Sequence, residues 1–293
     1  MPEILVNQHA LTGEGPAWDA GAQRLYWLDI PRATVFVYNP ADQSNRAIDL
    51  SARFGNIGTL APRRAGGLII APDRKIAFLD LDNGQVEVVL ELENEHPGNR
   101  FNDGKCDPLG RFVVGSMAIN QDGAAHGSLY CIETDLSVRT LRADLFISNG
   151  LGWSPDYSQF YLADSGSRAV WAYDYDLAHG QISNQRVAFT LPAGEFVADG
   201  MTVDQQGMLW LALWDGAAIT RWNPQSGELL ETCSFPAKRV TSCVFGGPQR
   251  NELYVTSAAI GLDAVDRQRY PYNGALMRLK TSVEGMPTYA FGG

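Results

Sequence analysis

A short motif recurs along the chain, and no other feature restricts the possible folds as tightly. Four segments align when stacked: EGPAWDAGAQRLYWLDI from Glu14, NDGKCDPLGRFVVGSM from Asn102, NGLGWSPDYSQFYLADS from Asn149 and DGMTVDQQGMLWLALW from Asp199. Each runs from a polar residue through a small residue or turn former to an apolar run, an Asp or Ser, a turn and an aromatic-rich strand. That order describes a β-hairpin. Two weaker copies, GTLAPRRAGGLIIAPD from Gly58 and TSCVFGGPQRNELYVTSA from Thr241, fill the gaps, so successive starts lie 44, 44, 47, 50 and 42 residues apart. Units of about 40–50 residues with room for four short strands are propeller blades. The chain is therefore predicted to be all-β, a six-bladed β-propeller forming a single domain over residues 1–293. The N-terminal PEILVN reads as a strand without a blade and is expected to join the last blade and close the ring.

The rest of the chain agrees with this reading. Apolar residues run on in RLYWLDI, RFVVGSM and MLWLALW, as in strands covered on both faces. Later strands are expected in ATVFVYNP, GSLYCIET, AVWAYDYD and AITRWNP, each ending at a turn signal. Thirty glycines supply the turns, and helical periodicity is nearly absent. Cys106, Cys131, Cys233 and Cys243 show no metal-type spacing and are expected to be free, buried thiols. The tryptophans fall at expected core positions such as Trp18 and Trp153, with Trp214 near a strand end as the exception. His9, His96, His126 and His179 fall in predicted loops or the N-terminal segment and are read as surface or structural residues.

A formal charge of -10 repels phosphate backbones, so neither nucleic acid nor an anionic membrane is expected as a partner. No apolar run approaches bilayer length, and the N-terminus lacks a cationic segment followed by an apolar one. A cytoplasmic monomer is the expectation.

In a propeller the innermost strand of each blade lines a central channel, so one repeat phase points at the axis from six directions. That phase carries Glu14, Gly58, Asn102, Asn149, Asp199 and Thr241. Any one of these before a glycine reads as turn chemistry; recurrence in register reads as a site. Carboxylates and amide oxygens crowded together repel unless a cation sits among them. Oxygen ligands suit calcium, magnesium or manganese, and zinc or iron(II) also accept carboxylate oxygen. Three protein ligands leave open positions for water and substrate. No G-x-S-x-G, H-E-x-x-H or phosphate-loop pattern competes, and GEGPAW places Trp18 where a dinucleotide fingerprint needs its third glycine.

Taken together, GEGPAW, RFNDGKCDPLGRFVVGSMA, ISNGLGWSPD, FYLADS and ADGMTVDQQGMLWLALW resemble the gluconolactonase and regucalcin (senescence marker protein) family, from about Leu11 to the C-terminal PTYAFGG. The resemblance implies a six-bladed propeller that holds one divalent ion and opens the ring ester of sugar lactones. It implies Glu14, Asn149 and Asp199 as metal ligands, with Arg100 and Asn102 as substrate contacts. Some members carry a substrate-contacting Glu shortly after G-[ST]-M-A, where this chain has Asn120; that departure bears on which sugar is bound. Asp199 is the candidate catalytic base, able to take a proton from an activated water. A phosphotriesterase-like hydrolase and a non-catalytic calcium-binding protein are the competing readings.

Overall fold

The computed structural model describes residues 1–120 and 122–293. The strands form six four-stranded antiparallel sheets arranged as a β-propeller. Their innermost strands are Gly13–Asp19, Ile57–Pro62, Asn99–Cys106, Ser148–Trp153, Val197–Val203 and Arg239–Gly246, which number blades 1 to 6. Sequence expectation and structure coincide in the later strands as well: Thr34–Asn39, Gly127–Ile132, Ala169–Asp176 and Ala218–Asn223 are all third strands of their blades. Helix is confined to short pieces, of which Ala264–Arg269 is capped by the Asp263 carboxylate accepting from the Asp266 N–H at 2.8 Å.

The Asp or Ser in the middle of each strong repeat makes the hairpin turn. Asp19 accepts from the N–H groups of Gly21 and Ala22, Asp107 from Leu109 and Arg111, and Asp204 from Gln206 and Met208, all within 3.0 Å. A short acidic side chain that caps its own turn in this way fixes where the second strand begins.

Glu3–Val6 pairs antiparallel with Leu276–Lys280 as the fourth strand of blade 6. The N-terminus thus closes the ring. Hydrophobic cores lie between blades rather than within them: Leu28, Val35, Ile57 and Ile70 share one cluster across blades 1 and 2, and Trp18, Trp27 and Tyr254 share another across blades 6 and 1. Every sheet is therefore covered on both faces, which explains the unbroken apolar runs. Each fully buried Leu, Ile or Val contributes roughly 1.5–3 kcal/mol. Stacked aromatics reinforce the seams, with the Phe189 and Trp222 rings 4.4 Å apart across blades 4 and 5. Cys106, Cys131 and Cys243 are buried and free, whereas the free Cys233 is partly exposed.

Candidate metal and substrate site

All six innermost strands lose pairing register at one phase. The breaks fall between Glu14 and Ala17, Ile57 and Leu60, Phe101 and Gly104, Ser148 and Leu151, Ala198 and Met201, and Val240 and Ser242. A bulge frees a residue from the ladder and re-aims its side chain, so Asn102, Asn149 and Asp199 each open the bulge of their blade. Glu14 departs from the register read in the sequence. Gly15 holds the bulge position of blade 1, and Glu14 is the last paired residue before it, opposite Leu28. Gly15 adopts φ +55°, a conformation that suits glycine, and its N–H donates to Glu14 Oε2 at 2.8 Å. The long glutamate side chain folds back over the bulge.

The bulges touch one another around the ring. Asn102 Nδ2 donates to the Ser148 carbonyl at 2.9 Å, and Ser165 Oγ, which accepts from Asn149 Nδ2 at 3.0 Å, donates to the Ala198 carbonyl at 2.6 Å. Thr241 Oγ1 links blade 6 to blade 1 by donating to the Gly13 carbonyl at 2.6 Å. Blades 4 and 5 approach so closely that a Cβ on Gly150 would lie 2.6 Å from the Asp199 carbonyl oxygen. Acidic residues at the ends of second strands hold the loops leading into the ring: Asp29 accepts from Leu11 and Thr12, and Asp164 from Phe146 and Ile147.

Glu14, Asn102, Asp103, Asn149 and Asp199 are all buried. Burial drives the Asp199 carboxyl well above its usual range, and the charge of Glu14 adds to the shift, while the Asn149 amide beside it partly opposes it. Burial, with Asp103 adding, lifts Glu14 to about 8. Burial also raises Asp103, against the pull of Lys105 and the Gly104 N–H. Arg100 is pushed down to about 10 by burial, opposed by Glu14 and Asp199. These mutual influences place the acidic groups and Arg100 in one electrostatic unit.

Asn149 Oδ1 is buried and accepts no hydrogen bond among the described residues. An orphaned amide oxygen in the ring that also holds two carboxylates, each costly to ionise alone, fits a hard divalent cation. Among the described residues no group of three His, Cys, Asp or Glu side chains is placed to hold a metal; this set depends on an amide as its third oxygen. Arg100 Nη1 donates to the Phe101 carbonyl at 2.8 Å and to Asn102 Oδ1 at 2.9 Å, and among the described residues its Nε and Nη2 donors are left for another molecule. Asn120 lies exposed in the loop after Phe112–Ala118, and Ala118 pairs with Asn99 at the start of the Arg100 strand. It is on the rim of the same face. Trp214 is partly exposed beneath the Arg239 guanidinium, 4.8 Å from its ring centre.

The sequence profile of the SMP-30/gluconolactonase/LRE-like region matches residues 12–259. The chain belongs to this family. Within the SMP-30/gluconolactonase/LRE-like family it is 36% identical to regucalcin of Danio rerio over 293 residues, covering 99% of this chain and 98% of that protein. A luciferin-regenerating enzyme shares the fold with a TM-score of 0.91 and 34% identity, over 100% of this chain and 99% of the other. Regucalcin from Agrobacterium tumefaciens, described as a calcium-binding protein, aligns with a TM-score of 0.93 and 27% identity, over 99% and 97%.

The sequence marks Asp103, with Arg100 and Asn102, as a polar group at a strand start, but neither Asp103 nor Lys105 entered the ligand and substrate set read from it. Asp103 directly follows Asn102 in NDGK and Lys105 comes two residues later; the two-residue bulge is the signal that would have found Asp103, because where a bulge frees two residues the second is also a candidate.

Proposed function

We propose that the protein is a metal-dependent hydrolase that opens the ester ring of a sugar lactone to the corresponding acid. The observation that carries this reading is the convergence of Glu14, Asn149 and Asp199, two strained carboxylates and an unpartnered amide oxygen, beside an arginine with free donors. Family membership supports it, and the calcium-binding description of the Agrobacterium relative supports calcium as the first ion to test. A purely calcium-storing scaffold has no use for Arg100.

Glu14, Asn149 and Asp199 would hold the ion, which when bound supplies Lewis acidity toward a carbonyl oxygen and a nearby water. Arg100 offers its remaining planar donors to ring hydroxyls of the sugar. Asn102 fixes that guanidinium by accepting from Nη1 and itself keeps one amide hydrogen for substrate. Asn120 contributes a neutral contact from the rim. Asp199 takes the proton of the attacking water and returns it to the ring oxygen as the ester C–O bond breaks. No covalent bond to the protein is needed.

The test is lactone hydrolysis, followed as acid release from a panel of aldonolactones, on metal-stripped protein before and after adding calcium, manganese, zinc or iron(II). Spontaneous opening is subtracted. Metal-dependent acceleration is expected; its absence in folded, ion-binding protein would overturn the proposal.

A further inference from the structure

Blade 3 contains a buried carboxylate that the proposed reaction does not use. Glu93 lies in the loop leading into the innermost strand Asn99–Cys106, and its carboxylate joins three strands of the blade. Oε1 accepts from the Ser116 hydroxyl of the second strand and from the Tyr130 hydroxyl of the third, the latter at 3.0 Å, and Oε2 accepts from Asn99 Nδ2 of the first at 2.9 Å. Glu93, Asn99 and Ser116 are all buried, where a carboxylate without such donors is costly. Asn99 carries the link onward, because its amide also donates to the His126 carbonyl at 2.8 Å. His126 belongs to the loop that bears Asn120, and the Ile119 N–H of that loop donates to the Gly98 carbonyl at 2.9 Å. Arg100, next in the chain after Asn99, pairs with Met117. One carboxylate thus fixes the residue that joins the Arg100 strand to the rim loop.

We infer that Glu93, acting through Asn99, is a positioning residue that docks the Asn120 loop against the Arg100 strand and so shapes the outer part of the sugar site. For its effect on turnover this rests on the lactonase reading; the docking itself does not. The two hydrogens of the Asn99 amide reach two acceptors, Glu93 Oε2 and the His126 carbonyl. In Glu93→Gln the remaining oxygen can still serve Ser116 and Tyr130, but an NH2 group then faces the NH2 of Asn99. Turning the Asn99 amide over relieves that conflict only by pointing its oxygen at the His126 carbonyl. Either way the loop loses its tie. The rim reaches sugar hydroxyls remote from the ester, so looser docking weakens ground state and transition state alike.

Three substitutions separate this role from a structural one. Glu93→Gln and Asn99→Ala should each raise the lactone KM about tenfold, with kcat and calcium affinity within about threefold of the parent. The double variant should raise KM no further, because both changes cut the same path. Tyr130→Phe removes a Glu93 partner without touching that path; it should lower the melting temperature and leave KM at the parent value. Hydrogen exchange at the Ile119 amide should quicken about tenfold or more in Glu93→Gln and Asn99→Ala and stay unchanged in Tyr130→Phe. Asn99→Ala leaves Glu93 its Ser116 and Tyr130 partners, so it carries the test if Glu93→Gln fails to fold. Unchanged exchange at Ile119 in the folded variants overturns the assignment whatever the lactone assay gives. With an active parent, an unchanged KM, effects that multiply in the double variant, or an equal rise in Tyr130→Phe overturns it as well. A parent that opens no lactone defeats the lactonase reading and leaves hydrogen exchange to judge Glu93.

Discussion

Asp199 is asked to do two things, to bind a cation and to carry a proton, and its surroundings are consistent with both. Burial and the neighbouring Glu14 make its anion costly, so a cation lowers that cost, and a water-derived proton can reside on it transiently. Asp199→Asn keeps the shape and removes the proton acceptor. Turnover should fall by at least about 10²-fold, with the thermal transition of the metal-free protein unchanged or raised because a strained acid has been removed. Retained activity in a lactone assay would exclude Asp199 as the base. Glu14 makes a different prediction, through pH. Its folded-state value of about 8 lies above its ordinary 4.5, so the protonated form is favoured by folding. The stability it contributes is full below about 4.5 and is lost as pH rises through about 8. Thermal melts of metal-stripped protein should therefore decline between about pH 5 and about pH 8. Glu14→Gln should flatten that slope, and an equal slope in the variant would refute the assignment. Calcium binding near neutral pH should release protons, read as a dependence of the calorimetric heat on buffer ionisation enthalpy.

At the scale of elements, the bulge explains why so much of the site was legible and why part of it was not. Asn102, Asn149 and Asp199 are visible because a bulge needs small or polar residues at a fixed place, and the blades repeat that need. Glu14 was read at the same phase for its place before a glycine, although the structure puts Gly15 there; one sequence does not mark which residue of Glu-Gly opens the bulge. Contacts between blades, such as Ser165 with the Ala198 carbonyl, depend on how two repeats meet, and periodicity within a repeat carries no such information. The N-terminal strand was legible because it was left over when blades were counted. Its removal is a direct test of ring closure. Deleting residues 1–6 leaves the Leu276–Lys280 edge unpaired and takes Ile4, Leu5 and Val6 from the cores they pack against. A lower melting temperature and increased aggregation are expected, since an open strand edge is a template for pairing. An unchanged melt and unchanged light scattering would show that the strand does not lock the ring.

For the whole molecule, the decisive element is the C-terminal segment after blade 6, which crosses the face opposite the bulges. Gly285 N–H donates to the Arg250 carbonyl of blade 6, and Met286 N–H to the Val203 carbonyl of blade 5, at 2.7 and 2.9 Å. The Tyr289 hydroxyl meets that of Tyr157 in blade 4 at 2.6 Å. The N–H of Phe291 then donates to the Pro62 carbonyl of blade 2 at 2.8 Å, and that of Gly292 to Gly110 of blade 3 at 2.9 Å. Phe291 itself is fully buried against Ile69, Phe101 and Phe112. One strand-like strap thus ties together five blades. The N-terminal strand takes its backbone pairing from blade 6, so the strap and the closing strand stabilise the ring by different means. Phe291→Ala should cost about 3–5 kcal/mol, the range for deleting a buried aromatic side chain, measured as a shift in the denaturant midpoint. Loss of the anchor also frees Met286 and Tyr289, which cover a chamber lined in part by Asp103 and Lys105, whereas the bulges are held by hydrogen bonds of their own between blades 3 and 4, 4 and 5, and 6 and 1. Calcium affinity of the folded variant should therefore stay within about threefold of the parent, a difference well under 1.4 kcal/mol. A larger loss of affinity would mean that the strap, and not the belt of bulges alone, holds the ligands in place.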